Sequence, residues 1–212
     1  MTITRREIMQ QIALMLGGTA FAGGERLLAF SFEEDALAQA MTQGVGAFTV
    51  ADVALLDEIA DTILPETSTP GAKAAKTGAF MALMVTDVYA VPLQQVFGEG
   101  LRSIDEECRR AHGTTFMQAL PAQRLSVVEA LDREQQRVMD ARRATPSNRA
   151  PAPESTATEP PHYFRMMKEL TLLGYFTSEI GCTKALRYIE SPGRFDPCAP
   201  HAPGDRAWSG HT

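Results

Sequence analysis

The stretch TVADVALLDEIADTILP, residues 49–65, carries the clearest folding signal in the sequence. Thr49 followed by Asp52 three residues later is a close variant of the capping box that begins a helix. Pro65 ends the helix, because the residue before a proline avoids helical backbone angles. The apolar residues between them recur every three or four positions, the spacing of one buried helix face: Val50, Val53, Leu56, Ile59, Ile63 and Leu64. The stretch predicts an amphipathic α-helix, followed by a turn-rich loop, PETSTPGA, over 65–72.

The same spacing recurs along most of the chain. Pro92 and Pro121 are placed as prolines that begin helices, and Gly113 as a glycine that ends one. Neither alternating apolar and polar runs nor Asn-Gly or Asp-Gly hairpin turns occur in the sequence. We therefore expect an all-α fold with a single helical domain. Beyond the first helix, helical segments are predicted over 33–41, 77–89 and 92–112, and onward from Pro121 and His162.

Three segments interrupt this helical pattern. ATPSNRAPAPESTATEPP, residues 144–161, contains five prolines and predicts a long loop that is either loose or lies over a partner. In LTLLGYFTSEIG, residues 170–181, Gly174 is predicted to end one helix and Thr177 or Ser178 to cap the next. Tyr175 and Phe176 would then project at that joint. The tail from residue 191 is turn-rich and is expected to be irregular.

The N-terminus has the pattern of an export signal. Arg5-Arg6 precedes a weakly apolar run over 12–22 that ends in small residues and is too short to span a bilayer. This pattern resembles a twin-arginine signal; the alternative is an amphipathic helix in a cytosolic protein. We expect a periplasmic protein whose body is soluble. Its predicted layout is an export signal over 1–29, a connecting segment over 30–48, a helical domain over 49–198 and a tail over 199–212.

Composition and motifs exclude several functions. A net charge of −6 argues against nucleic-acid binding. Dinucleotide-binding, phosphate-binding and haem-attachment motifs do not occur. Cys182, Cys198 and His201 lack the second close pair of a structural zinc site. The histidines and carboxylates form no set of nucleophile, base and orienting group, so we expect no catalytic, cofactor or metal site in this chain.

The three cysteines allow one disulfide bond at most. In an oxidising periplasm thiols tend to pair, and Cys182 and Cys198 are placed to join the last helix to the tail. A disulfide that closes the loop between these two cysteines would stabilise the fold by about 3 kcal/mol in chain-entropy terms. The third thiol would stay free or join a partner chain.

Three blocks of the sequence resemble the gluconate 2-dehydrogenase subunit 3 family, alongside the twin-arginine start. They are DEIADTILPETSTPGAKAAKTGAF over 57–80, FMQALPAQRLSVVEALD over 116–132, and FRMMKELTLLGYFTSEIGCTKALRYIESPGRFDPC over 164–198. The last block is the most specific. The proline-rich loop over 144–161 is not a feature that we associate with this family.

The resemblance implies a non-catalytic small subunit. FAD and the substrate site would belong to a large glucose–methanol–choline type dehydrogenase that oxidises a sugar, sugar acid or glycoside. The small subunit would stabilise that partner and carry it across the membrane, and a cytochrome c subunit would be a possible further partner. The alternative is a self-sufficient periplasmic helical enzyme or ligand-binding domain.

Aromatic and arginine side chains concentrate near the end of the chain, and such residues dominate the centres of protein interfaces. We therefore expect the partner interface to include Tyr163, Phe164, Tyr175, Phe176, Arg187 and Tyr188. A place in the core is the alternative for all six, and it is favoured for Phe164.

Overall fold

The computed structural model describes residues 35–144, 160–189, 193 and 202–209. The chain divides into two units, residues 1–36 and residues 37–212. Asp35 and Ala36, both helical, are the described residues of the first unit. The remaining description concerns the second unit.

Helices make up the regular structure, as predicted. Within the described residues no strand forms, and the only β-type pairings are two isolated bridges, Val45 with Phe48 and Arg187 with Trp208. The helices are α1 (35–43), α2 (Val50–Ile63), α3 (Thr77–Asp87), α4 (Val91–His112), α5 (Pro121–Ala144) and α6 (Tyr163–Thr177), followed by a short π-helix (Gly181–Ala185).

Local signals in the sequence set most of the helix ends. At the start of α2, Thr49 and Asp52 form the complete capping box, with each side chain bonded to the other residue's backbone N–H. Gly113 ends α4 in the left-handed conformation with φ of 72°, which glycine adopts without steric cost. Pro92 lies in the first turn of α4, and Pro121 begins α5. These predictions are confirmed.

Helix α6 lies at the centre of the packing and contacts α2, α3, α4 and α5. It contributes Phe164, Met167 and Leu170 to one continuous core, with 1%, 0% and 3% exposure. Met81 of α3 lies against α6, and the Thr171 hydroxyl is 3.6 Å from its sulfur. Core packing therefore accounts for these methionines.

The predicted joint at Gly174 is wrong. Helix α6 runs through Gly174 to Thr177, and Ser178 caps it. Gly174 is needed for close packing, since a Cβ there would lie 2.5 Å from Cδ1 of Phe80 in α3. The following helix, which the sequence predicts to begin at Thr177 or Ser178, is reduced to the π-helix Gly181–Ala185.

In the part of the chain that the structure describes, no helix has the length and apolar character needed to cross a membrane.

Candidate partner interface

The loop after α2 is fixed in place by hydrogen bonds with residues of α6, α2 and α3. The Tyr175 hydroxyl of α6 donates to the Pro70 carbonyl oxygen at 2.6 Å. The backbone N–H of Lys73 donates to Asp61 Oδ1 at 3.3 Å, and the Thr77 hydroxyl donates to the Ala72 carbonyl oxygen at 2.7 Å. This loop belongs to the 57–80 block, and its contacts make it part of the folded body.

Glu58 forms the ionic centre beneath this loop. Its carboxylate pairs with both Lys73 of the loop and Arg124 of α5. Arg124 also donates to the carbonyl oxygens of Phe116 and Met117, at 2.9 and 2.7 Å. Burial by itself would raise the pKa of Glu58, but the hydrogen bonds and charges of Lys73 and Arg124 outweigh burial and lower that pKa. The network ties α2, the loop and α5 together.

Asp57, the neighbouring carboxylate, is buried at 4% exposure. Its Oδ1 accepts from the backbone N–H of Gly78 at 2.7 Å. Burial raises the pKa of Asp57, and the Gly78 hydrogen bond and the charge of Lys73 only partly oppose that rise. Asp57 satisfies a backbone donor at the start of α3, so its contacts account for its position in the core.

At the end of α6 the two adjacent aromatic residues have different environments. Tyr175 is buried at 4% exposure, so the prediction that it projects from a joint is wrong. Phe176 is 37% exposed, and its ring contacts Tyr175 edge to face at 5.1 Å. Leu172 and Leu173 of the same helix are also exposed. Of the two aromatics, Phe176 is the one available to a partner.

The chain turns sharply after α6. The Ser178 hydroxyl donates to the Tyr175 carbonyl oxygen at 2.6 Å and accepts from the Gly181 N–H at 3.0 Å. A Cβ at Gly181 would lie 1.8 Å from the Tyr175 carbonyl oxygen, so this turn requires glycine. Ser178 therefore caps the following segment, as the sequence predicts for Thr177 or Ser178.

The tail returns to this region and pairs with it. Arg187 N–H donates to the Ala207 carbonyl oxygen, and Ser209 N–H donates to the Arg187 carbonyl oxygen, both at 2.8 Å. The Arg187 guanidinium lies over the Trp208 ring, 4.5 Å from its centroid. Arg206 donates to the Lys184 carbonyl oxygen at 2.7 Å. Arg187 is half-buried, whereas Tyr188 and Trp208 are exposed.

The start of α6 contributes little accessible surface. Phe164 is buried, and Tyr163 is half-buried against Gly100 of α4, where a Cβ would lie 2.2 Å from Tyr163 Cγ. Burial raises the pKa of the Tyr163 hydroxyl, and its hydrogen bond with Ser103 opposes this rise. The structure thus brings Phe176, Arg187 and Tyr188 to the surface near the end of the chain and places Phe164 and Tyr175 inside it.

His112 and Ser126 are the closest approach to a catalytic pair within the described residues. His112 Nε2 lies 2.9 Å from Ser126 Oγ in a small pocket that Glu107 and Glu134 also line. When the Ser126 hydroxyl donates to the Gln123 carbonyl oxygen, at 2.8 Å, the ring nitrogen is the donor toward Ser126 Oγ. A general base would instead accept the hydroxyl proton. Across the same residues, no three metal-ligating side chains converge.

Two predictions concern residues outside the described part of the chain. Arg5 and Arg6 lie there, and so does Cys198. Cys182 is a free thiol in the structure, with Sγ 3.3 Å from the Phe176 carbonyl oxygen. The export signal and the Cys182–Cys198 pairing both stay predictions.

A family model described as gluconate 2-dehydrogenase subunit 3 matches residues 51–193 of the 212-residue chain. The chain belongs to this family. Comparison with curated proteins and with solved structures gave no match. Membership of the gluconate 2-dehydrogenase subunit 3 family makes the chain a subunit of a dehydrogenase complex and implies a dehydrogenase partner.

The match to the gluconate 2-dehydrogenase subunit 3 model runs from the first turn of α2 to residue 193. It includes α6 and the turn at Gly181. Trp208 lies beyond the matched range, and sequence reasoning placed it only in an irregular tail. The signal that could have identified it is composition, because it is the only tryptophan in the chain.

Proposed function

We propose that this chain is the non-catalytic small subunit of a periplasmic dehydrogenase complex. The large partner would be an FAD-dependent enzyme of the glucose–methanol–choline type that oxidises a sugar, sugar acid or glycoside. The flavin and the substrate would bind to that partner, and a cytochrome c subunit would accept the electrons. The observation that carries the proposal is the match to the gluconate 2-dehydrogenase subunit 3 family over 51–193.

The first role of the small subunit is to stabilise the large one. A subunit that binds only the folded state of its partner shifts the folding equilibrium of that partner toward the folded state by mass action. This role is tested by producing the large flavoprotein with and without this chain. We expect a higher yield of soluble, flavin-containing enzyme, with more sugar-dependent dye reduction, when both chains are produced than when the large subunit is produced alone. Isolated small subunit that binds flavin and reduces the dye unaided would contradict the proposal.

The second role is co-export, which depends on Arg5 and Arg6. Replacing both by lysine should leave both subunits in the cytoplasm, because the twin-arginine route exports folded complexes through a signal on one member. Cell fractionation and immunoblotting of both subunits measure this. The matched control replaces another arginine pair, Arg109 and Arg110 at the end of α4, by lysine. Periplasmic dehydrogenase in the Arg5→Lys, Arg6→Lys double variant would rule out this export role.

A further inference from the structure

The end of the described chain presents a surface with the side chains of an interface centre. Arg187, Tyr188, Ile189, Arg206 and Trp208, together called the C-terminal patch, line an open depression of about 280 Å³. Tyr188 is 48% exposed, Ile189 43% and Trp208 52%. Tryptophan, tyrosine and arginine are the residues whose loss costs most at protein interfaces. The C-terminal patch combines all three with an apolar neighbour.

Backbone contacts hold the C-terminal patch in shape before any partner arrives. The paired hydrogen bonds of Arg187 with Ala207 and Ser209 fix the tail against the segment after the π-helix. The Arg206 hydrogen bond to the Lys184 carbonyl oxygen adds a second attachment. A surface ordered in advance loses less conformational freedom on binding than a mobile tail would.

The charge of the C-terminal patch indicates what it contacts. Neither Arg187 nor Arg206 forms an ion pair with a carboxylate within the described residues, and Arg187 Nε is buried without a hydrogen-bond partner there. The nearby Asp205 carboxylate accepts from the Ala202 N–H at 2.9 Å. The patch therefore contains two arginine side chains that no described carboxylate pairs with, on a chain whose net charge is −6. An acidic surface with apolar side chains would complement it.

A second copy of the chain does not suit this surface. A two-fold symmetric contact places the same patch on both sides of the interface. The arginines of one copy would then face those of the other, and like charges held together in an interface are unfavourable. The family implies a dehydrogenase partner instead.

We propose that the C-terminal patch is the surface on which the dehydrogenase subunit docks. Trp208 and Tyr188 pack against apolar side chains of that subunit, and Arg187 and Arg206 face its carboxylates. Phe176 and Leu173 are also exposed, at the end of α6. This inference rests on the proposed function, because it requires the dehydrogenase to be the partner.

The first experiment observes Trp208 without changing the C-terminal patch. Labelling with 5-fluorotryptophan gives one ¹⁹F resonance, because the chain has a single tryptophan. The labelled chain is mixed with unlabelled large flavoprotein subunit. We expect the resonance to shift and broaden on complex formation. An unmoved resonance in a complex verified by size-exclusion chromatography would overturn the proposal.

The second experiment measures affinity. Tyr188→Ala combined with Trp208→Ala, and separately Arg206→Glu, should each weaken binding to the large subunit at least about tenfold, the loss expected for hot-spot residues. Leu120→Ala, at a side chain that is 66% exposed outside the patch, is the matched control and should bind as the wild type does. Circular dichroism and unfolding by urea establish that each variant is folded.

The outcomes separate the surface from the function. If the wild-type chain does not bind the large subunit, both the proposed function and the proposed docking surface are overturned. Wild-type chain that binds, with patch variants binding equally well, would overturn the docking surface alone. Patch variants that lose only self-association, measured by analytical ultracentrifugation, would assign the patch to a second copy and likewise overturn the proposal.

Discussion

The Tyr175 hydroxyl and the Pro70 carbonyl oxygen, 105 residues apart in the chain, are joined by a 2.6 Å hydrogen bond. The bond connects the end of α6 to the loop after α2. It joins two of the three sequence blocks that resemble the family, 57–80 and 164–198, in one contact. Both blocks therefore take part in the internal packing of this chain, in addition to any contact with a partner.

Tyr175→Phe tests this bond directly. It removes the hydroxyl and keeps the buried ring, so we expect a loss of about 1 kcal/mol in the free energy of unfolding, typical of one hydrogen bond. Tyr175→Ala also removes the ring and should cost about 3–5 kcal/mol, as large-to-small core changes do. Urea unfolding followed by circular dichroism gives both values. Equal stability of Tyr175→Phe and wild type would contradict a net stabilising role for this hydrogen bond.

Gly78→Ala should be among the most disruptive single-methyl additions in the chain. The added Cβ would lie 2.5 Å from the Asp57 nitrogen and 2.7 Å from the Val53 carbonyl oxygen, both backbone atoms of α2. Because neither backbone atom can move without displacing α2, we expect the free energy of unfolding to fall by about 1–3 kcal/mol or more. Thermal unfolding measures it.

Gly98→Ala is the matched control for Gly78→Ala. Gly98 lies inside α4, and a Cβ there meets no atom within 4 Å. Alanine is favoured over glycine in a helix interior by about 0.5–1 kcal/mol, so this variant should be more stable than the wild type. A destabilised Gly98→Ala variant would contradict the packing described for α4.

Signals that act over a few residues made the helices predictable. The Thr49–Asp52 box and Gly113 each act on backbone groups within one helical turn, so the sequence contains all the information needed. Gly174 is different. A glycine in a helical stripe is consistent with a helix end or with close packing, and the deciding contact is Phe80, in another helix.

Which of the six residues predicted at the interface reach the surface was predictable only in part, for the same reason. Tyr175 is buried, and its hydroxyl donates to the Pro70 carbonyl oxygen. Trp208 is exposed, and the Arg187 guanidinium lies over its ring. Both relationships join distant segments of the chain. Phe176, Arg187 and Tyr188, identified by composition alone, do lie at or near the surface.

Glu58→Gln should remove a stabilisation that depends on pH. The folded-state pKa of Glu58 lies below its ordinary value of 4.5. Its stabilising charge is therefore fully present above that value and is lost as the pH falls through the folded-state pKa. We expect the difference in unfolding free energy between wild type and Glu58→Gln to be largest near neutral pH and to narrow in acid. Urea unfolding at a series of pH values measures it, and a constant difference would contradict the role of Lys73 and Arg124.

Asp57→Asn should show the opposite pH dependence of the unfolding free energy and serves as the comparison for Glu58→Gln. Burial raises the folded-state pKa of Asp57 above its ordinary value of 3.8, so the charged carboxylate costs stability as the pH rises through that range. Asparagine keeps an oxygen for the Gly78 N–H and carries no charge. The stability of Asp57→Asn relative to wild type should therefore increase with pH. A decrease would mean that the charge at Asp57 is stabilising.

The cysteines give a prediction that distinguishes the buried Cys108 thiol from the predicted Cys182–Cys198 pair. Cys108 is fully buried in α4, and burial raises the pKa of its thiol, so it should resist alkylation in the native protein. If Cys182 and Cys198 pair in exported protein, denaturation without reduction should expose one alkylatable thiol, at Cys108. Peptide mass spectrometry identifies the modified residue. Cys198→Ser should then leave Cys182 alkylatable and lower stability by about 3 kcal/mol through the lost loop constraint. Three alkylated thiols in non-reduced wild type would exclude the disulfide.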